Sequence, residues 1–202
     1  MKKPSGTCGK RPYRKAARAE AEAATHAAIL DAAFEMFSAD PFDRVTLDQI
    51  AERSGVTVQT IIRRFGSKEE LFESLAQREG RRILAEREVA ESASLTVALE
   101  SLLDHYERDG DTITNFVAQE HLFEPVRAIV ERGRKTHREW VERHCRHLLC
   151  GLDGKARERM VHAATVATDL STWKLLRRDL ELEPACVAEV MSDLLHGLER
   201  RH

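Results

Sequence analysis

The stretch TLDQIAERSGVTVQTIIRRFGSKEELF, residues 46–72, limits the possible folds of this chain more than any other segment. Thr46 and Gln49 have the spacing of a capping box, which predicts that a helix begins at Leu47. Gly55 is expected to end this helix, because glycine adopts a left-handed backbone without steric cost. The segment therefore predicts a short helix that is closed at both ends by its own sequence.

A second short helix is expected directly after this turn, with Thr57 as its N-cap. Ser67 and Glu70 form another capping box, which predicts the start of a third helix. Two short helices around a tight glycine turn form a helix-turn-helix, whose second helix fits the major groove of DNA. The apolar positions that should face the core from the second helix are Val58, Ile61, Ile62 and Phe65.

The rest of the sequence favours an all-α protein. The chain of 202 residues has 42% hydrophobic residues, 33% charged residues and five prolines, which is typical of a helix-rich globule. A first helix is predicted from about Arg18 or Thr25 to Ser38. The breaks at Asp109-Gly110-Asp111 and elsewhere predict further helices at 68–91, 94–108, 112–123, 124–149, 155–179 and 184–200.

The lack of a recognisable targeting signal and the spacing of the cysteines both favour a cytoplasmic protein. The basic start of the chain lacks the apolar region of a signal peptide, and no apolar run approaches the roughly 18 residues of a membrane span. The four cysteines do not have the spacing of a disulfide framework, which suits a reducing compartment. No membrane association is expected.

Charge is distributed unevenly along the chain. Through Lys68 there are 12 Lys and Arg against 8 Asp and Glu, a net charge of +4, and the remainder has 20 against 26, a net charge of −6. A basic first third is expected where one domain meets phosphate and the other does not. Ordinary variation along a helical chain explains the same asymmetry equally well.

The exposed positions of the helix-turn-helix carry groups suited to DNA. Gln59 can pair with adenine, and threonine offers a hydroxyl and a methyl group to thymine. Arg63 and Arg64 suit phosphates, as does Lys68 in the first turn of the next helix. Some helix-turn-helix domains do not bind DNA. The polar and basic side chains at the exposed positions favour DNA binding here. The candidate DNA-binding residues are Thr46, Thr57, Val58, Gln59, Thr60, Arg63, Arg64 and Lys68.

These residues resemble the TetR family of bacterial transcriptional regulators. The resemblance covers about a quarter of the chain. The matching residues are Ile29-Leu30-Asp31-Ala32-Ala33, Phe37, Val45-Thr46, Asp48-Gln49-Ile50-Ala51, Gly55-Val56, Thr60-Ile61 and Phe65-Gly66-Ser67-Lys68-Glu69-Glu70-Leu71-Phe72.

The resemblance implies a domain organisation and two kinds of partner. It implies a homodimer that dimerises through its last two helices, near 155–179 and 184–200, and holds a small-molecule effector in the C-terminal domain. With the residue patterns, it predicts a basic disordered arm at 1–18, a DNA-binding domain at 19–66, and an effector-binding and dimerisation domain at 67–202.

Three positions depart from the family's pattern. Ile62 stands where an aromatic residue, usually Tyr, reaches a phosphate, and isoleucine cannot make that contact. Arg64 replaces a frequent His and offers a full charge to the DNA backbone instead. Pro41 replaces a common glycine in the first turn. The contacts at positions 62 and 64 are therefore open.

Other chemistry finds little support in the sequence. There is no glycine-rich phosphate loop, no GxSxG and no HExxH, so no enzyme and no cofactor are expected. Helical spacing of His144, Cys145, His147 and Cys150 would allow a soft-metal site. Because Arg143 and Arg146 would repel a cation there, we expect no metal.

The predicted effector site lies in the middle helices. Aromatic and polar side chains there could line a pocket, although aromatic residues at helical spacing are more often core. The candidates are Phe116, His121, Phe123, Trp140 and His144.

The sequence therefore predicts a homodimeric repressor that an effector releases from a pseudo-palindromic operator in double-stranded DNA. The alternative is a helical ligand- or metal-binding protein that has lost operator binding.

Overall fold

The computed structural model describes residues 10–88 and 94–199, and every regular element within these ranges is helical. The chain divides into two compact units, Met1–Leu75 and Ala76–His202, and the boundary falls inside one helix. The predicted all-α architecture, with an N-terminal helix-turn-helix domain before a larger helical domain, is confirmed. The α-helices are α1 (Lys10–Ala39), α2 (Leu47–Ser54), α3 (Val58–Phe65), α4 (Lys68–Glu86), α5 (Leu95–Gln119), α6 (Glu124–His144), α7 (Arg146–Leu149), α8 (Gly154–Thr168), α9 (Leu170–Lys174) and α10 (Pro184–Glu199).

The first unit is built around an apolar core beneath α2 and α3. Phe37 of α1 packs against Phe42 and Phe72, with ring centroids 5.6 and 4.7 Å away. Ile50 of α2 and Ile61 of α3 are fully buried in the same unit. The two short helices cannot bury enough surface to be stable alone, so this shared core holds them in place.

Helix α1 begins much earlier than expected. Disorder was predicted for residues 1–18, but α1 already starts at Lys10, while residues 1–9 lie outside the described part of the chain. Pro12 falls in the first turn, where its missing N–H would have no helical partner. Arg18 and Glu22 also form an i,i+4 ion pair of 2.9 Å, which supports the helix.

In the second unit, the predicted break at residues 109–111 is wrong, because α5 continues through it. Gly110 is required there by packing: a Cβ at this position would lie 2.5 Å from the Trp173 ring. Asp109 is bound by Arg82 and Asp111 by Arg178, so neither carboxylate interrupts the helix. Asp and Gly residues that commonly form a turn instead make contacts with distant residues from within a continuous helix.

Two predicted helices are instead interrupted. The chain turns at buried Cys145, so that α6 ends at His144 before the short α7. Asp169 caps α9 by accepting a hydrogen bond from the Ser171 N–H at 2.8 Å, which separates α9 from α8. A π-helical turn, Leu175–Asp179, follows α9. The predicted end points Glu91 and Arg200 lie outside the described residues.

Helix α10 confirms the expected terminal helix. Val187, Met191 and Leu195 are buried against Val161 and Trp173 in the core of the second unit. Leu194 of the same predicted stripe is exposed. No helix in the described ranges is both long and apolar enough to cross a membrane.

Candidate nucleic-acid interface and interior polar cluster

The caps predicted for α2 form as expected. The Thr46 hydroxyl accepts a hydrogen bond from the Gln49 N–H at 3.3 Å, and the Gln49 side-chain oxygen accepts one from the Thr46 N–H at 2.8 Å. Gly55 adopts φ 69° and ψ 26° and ends the helix. The turn that sets the angle between α2 and α3 is thus determined by local residues.

Helix α3 presents a polar face to solvent. Thr57 caps it by accepting a hydrogen bond from the Thr60 N–H at 3.2 Å. Ile61 and Phe65 are buried beneath it, and His26 of α1 stacks on Phe65 with ring centroids 4.8 Å apart. Among the predicted DNA-binding residues, Thr46, Thr57, Gln59 and Arg63 are exposed and Val58, Thr60, Arg64 and Lys68 are half-buried.

Ile62 does not belong to the inner face, where the sequence placed it. Its side chain is 41% exposed. Positions 62 and 63 follow Gln59 by three and four residues and flank it on the helical surface, while Ile61 and Phe65 already fill the side that faces the core. An aliphatic side chain therefore stands among the polar groups of the candidate interface.

Lys68 is held inside its own unit. Its ammonium donates hydrogen bonds to the carbonyl oxygens of Phe42 and Val45 at 2.9 and 3.1 Å, and lies 4.4 Å from the centroid of the Phe42 ring. An ammonium has three N–H donors, so one remains for a phosphate. Lys68 therefore joins the start of α4 to the α1–α2 loop besides its predicted role at DNA.

The junction between α3 and α4 depends on a second glycine. Gly66 has φ 92°, and a Cβ there would overlap the Glu70 carboxylate. Ser67 caps α4 by accepting a hydrogen bond from the Glu70 N–H at 3.1 Å. The Ser67 cap was predicted, and the packing of Glu70 over Gly66 was not.

The predicted effector-lining residues occupy different environments. Trp140 is buried beside His144, with ring centroids 5.0 Å apart, while Phe116 and Phe123 are half-buried. His121 lies at the surface with its side chain 85% exposed, apart from the buried Trp140. The preceding Glu120 turns inward to bind Arg134, which leaves His121 pointing outward.

The segment from His144 to Cys150 separates Cys145 from the other three candidate ligands. The chain turns at Cys145, whose thiol is buried in the core, and burial raises its pKa to about 12. His144, His147 and Cys150 instead line an open pocket of about 500 Å³ together with Arg143 and Arg146. In the part of the chain that the structure describes, no three His, Cys, Asp or Glu side chains are grouped as metal ligands.

Sequence reasoning missed a polar network inside the second unit. Asp109 of α5 accepts a hydrogen bond from Arg82 at 2.8 Å and contacts His105 Nδ1 at 3.1 Å. Burial alone would raise the pKa of Asp109, but these hydrogen bonds and the Arg82 charge lower it to about 2. The available signal was a His and an Asp one helical turn apart on the apolar side of α5.

A second group of polar side chains lies in the same unit. Thr168 of α8 joins His137 of α6 to Tyr106 of α5: its hydroxyl contacts His137 Nε2, and its carbonyl accepts the Tyr106 hydroxyl, each at 3.1 Å. Burial raises the pKa of Tyr106, and burial with the Arg87 charge lowers that of His137 to about 4. Both side chains are therefore neutral at pH 7.

The family comparison agrees with the N-terminal geometry. Residues 29–75 match the sequence model of the family described as "Bacterial regulatory proteins, tetR family". The match includes the whole of α2 and α3, and the family resemblance inferred from the sequence is confirmed. A search of curated protein sequences returns no significant match.

Solved structures of regulators share the fold. A putative transcriptional regulator from Pseudomonas aeruginosa PAO1 aligns with a TM-score of 0.67 and 14% identity over 87% of this chain and 90% of that one. A tetR-family regulator from Streptomyces coelicolor aligns with a TM-score of 0.64 and 18% identity over 87% and 89%. A TetR-like regulator from Rhodococcus sp. RHA1 aligns with a TM-score of 0.62 and 22% identity over 85% and 93%.

Proposed function

We propose that this chain, a TetR-family regulator by its N-terminal domain and its fold, is a cytoplasmic repressor. It binds a pseudo-palindromic operator as a homodimer and leaves DNA when a small molecule occupies its second unit. The observation that carries the proposal is α3, a helix capped at both ends whose exposed face carries Gln59 and Arg63. Such a face suits the major groove.

The residues of α3 have separate roles in this proposal. Gln59 pairs with the edge of an adenine, and Arg63 binds a phosphate. Ile62, exposed beside Gln59, contacts a thymine methyl group. Apolar contact thus takes the place of the backbone contact that an aromatic residue makes in the family.

The second unit supports dimerisation through an exposed apolar surface. Val166 of α8, Leu175 and Leu180 at the π-helical turn, and Leu194 of α10 are between 47% and 66% exposed. Exposed large apolar side chains are common at subunit interfaces. A two-fold dimer would require half-sites about 34–36 Å apart, or a multiple of that distance.

Effector release requires a connection from the second unit to α3. Helix α4 contributes residues to both units, and its first residue, Lys68, holds the loop before α2. We infer that the effector changes the position of α4 and so the fraction of protein competent for DNA. The effector acts only by binding the two states with different affinity.

Selection of bound duplexes from a random library with the purified full chain tests the proposal. Recovery of an inverted repeat is expected, with affinity that falls steeply as salt rises. Recovery of sequences without two-fold symmetry would contradict the dimer. Absence of enrichment, with a flat salt response, would favour the alternative that operator binding has been lost.

Two variants separate base reading from backbone binding. Gln59→Ala should relax the preference at one base pair by about 1–3 kcal/mol, whereas Arg63→Ala should weaken binding to all sequences alike. Arg63 is the better probe than Arg64, whose Nε is buried without a hydrogen-bond partner among the described residues. Equal weakening of every sequence by Gln59→Ala would refute its role as a base reader.

A further inference from the structure

We propose that Arg87 and His137 bind a small organic carboxylate that carries a hydroxyl group, and that this is the effector. The inference rests on the proposed function and names the chemistry of its ligand. Both side chains belong to the second unit, and each has one buried polar atom, Arg87 Nη2 and His137 Nδ1, without a hydrogen-bond partner in the described ranges.

Within residues 10–88 and 94–199, no carboxylate forms an ion pair with Arg87. Burial lowers the pKa of Arg87, yet a guanidinium stays protonated in proteins. Asp109 and Glu86 of the same unit already bind Arg82 and Arg108. Because buried charges are normally paired, the free Nη2 calls for an anion.

The protonation of His137 follows from its neighbour. The Thr168 hydroxyl has a single proton, which it donates to the Ala164 carbonyl at 2.8 Å. In this arrangement the His137 Nε2–H donates to the Thr168 hydroxyl at 3.1 Å. Because neutral imidazole carries one proton, Nδ1 is left as a bare acceptor, and it is buried with no donor beside it.

The two unpaired groups lie against the same indole. The imidazole of His137, 7% exposed, stacks on Trp140 with ring centroids 5.9 Å apart and an interplanar angle of 9°. The guanidinium carbon of Arg87 lies 5.7 Å from the Trp140 ring centroid. A ligand lying along this indole can reach both.

These groups define what the ligand must offer. A carboxylate pairs with the planar guanidinium, and a hydroxyl donates to His137 Nδ1. A water molecule could satisfy the histidine but would leave the Arg87 charge uncompensated. An anion without a donor, such as chloride or acetate, would satisfy only the arginine.

Thermal unfolding of the full chain with small probes tests the site without knowledge of the natural ligand. The probes are sodium glycolate, sodium acetate, sodium chloride and ethylene glycol, compared at constant ionic strength. Glycolate should raise the Tm most, acetate less, and ethylene glycol not at all. Equal effects of glycolate and chloride would indicate a simple anion site and overturn the proposal, as would no effect of glycolate.

Variants locate the effect at the named residues. Arg87→Met keeps the aliphatic stem and should weaken glycolate binding by about 10- to 100-fold, whereas Arg81→Met, at an exposed arginine six residues earlier in α4, should leave it unchanged. His137→Phe should remove the difference between glycolate and acetate. Arg87→Lys, which keeps the charge, should retain acetate binding if Arg87→Met does not fold. Glycolate binding that is unchanged in Arg87→Met would refute the site.

Operator binding by the same proteins separates this inference from the proposed function. Specific DNA binding without an Arg87-dependent glycolate effect would overturn the carboxylate site and leave the regulator intact. Glycolate binding through Arg87 without any specific DNA binding would leave the site and overturn the regulator. If both hold, glycolate should change operator affinity in wild-type protein and not in Arg87→Met.

Discussion

The interiors of the two units differ in chemistry. Within the described residues, the buried side chains of the first unit are all apolar. Every buried polar or charged side chain belongs to the second unit, and the set is His105, Asp109, Gln119, Glu120, His137 and Thr168. The core of the first unit therefore serves only to stabilise the helices that carry its polar surface. The interior of the second unit contains polar groups that can bind a ligand.

The largest expected effect tests the apolar core of the first unit. Phe37→Ala should lower the free energy of unfolding by about 3–5 kcal/mol, because it opens a cavity beside Phe42 and Phe72. Far-UV circular dichroism in urea measures the change. Phe34→Ala, at a half-buried position of the same helix, should cost clearly less, and equal costs would mean that burial at Phe37 is not the cause.

Gly110 tests the packing between α5 and Trp173. Gly110→Ala should lower the free energy of unfolding by about 1–3 kcal/mol, because the added methyl overlaps the indole ring. The matched control is Gly133→Ala in α6, where an added Cβ has no neighbouring atom within 4 Å. This substitution should raise the free energy of unfolding by about 0.5–1 kcal/mol. Tryptophan fluorescence follows both, and stabilisation by Gly110→Ala would contradict this packing.

The pH dependence of stability should arise largely in the polar interior. Burial lowers the pKa of His137 to about 4, against about 6.5 when unfolded, so below pH 6.5 the unfolded chain binds a proton that the folded chain excludes. Between pH 7 and pH 5 this should cost about 2 kcal/mol of stability.

Urea unfolding of His137→Gln at both pH values measures that contribution. The variant should lose less stability on acidification than the wild type. His162→Gln, at an exposed histidine of α8, should lose as much as the wild type. Equal losses in all three proteins would mean that His137 is charged in the folded state.

The smallest expected effect belongs to an exposed ion pair of the first unit. Arg53 Nε donates to the Glu35 carboxylate at 2.6 Å, yet more than half of both side chains is exposed. Arg53→Ala should therefore change the free energy of unfolding by less than about 1 kcal/mol. A double-mutant cycle with Glu35→Ala measures the coupling energy between the two side chains. A coupling energy above about 1 kcal/mol would contradict the expectation that exposure weakens this pair.

Prediction from the sequence succeeded where structure depends on neighbouring residues. The caps at Thr46, Thr57 and Ser67 and the turn at Gly55 involve groups no more than four positions apart. Their hydrogen bonds can be inferred from spacing alone. The family resemblance depended on these same residues.

Prediction failed where the local structure or the burial of a residue depends on other residues that only the fold brings beside it. The sequence Asp109-Gly110-Asp111 is typical of a turn, but the fold places Trp173, Arg82 and Arg178 beside it, and the segment is helical. Ile62 looks like a core residue until Ile61 and Phe65 are seen to fill that side of α3.

The sequence by itself determined the all-α class, the helix-turn-helix and, apart from Ile62, the polar residues on the exposed face of α3. Helical periodicity and caps are local, so they can be read along the chain. Only the tertiary structure decided which polar side chains lie inside the second unit and which of them lack partners. Arg87 and His137 are fifty residues apart in sequence, and only folding places both beside Trp140, where desolvation makes an unpaired charge costly.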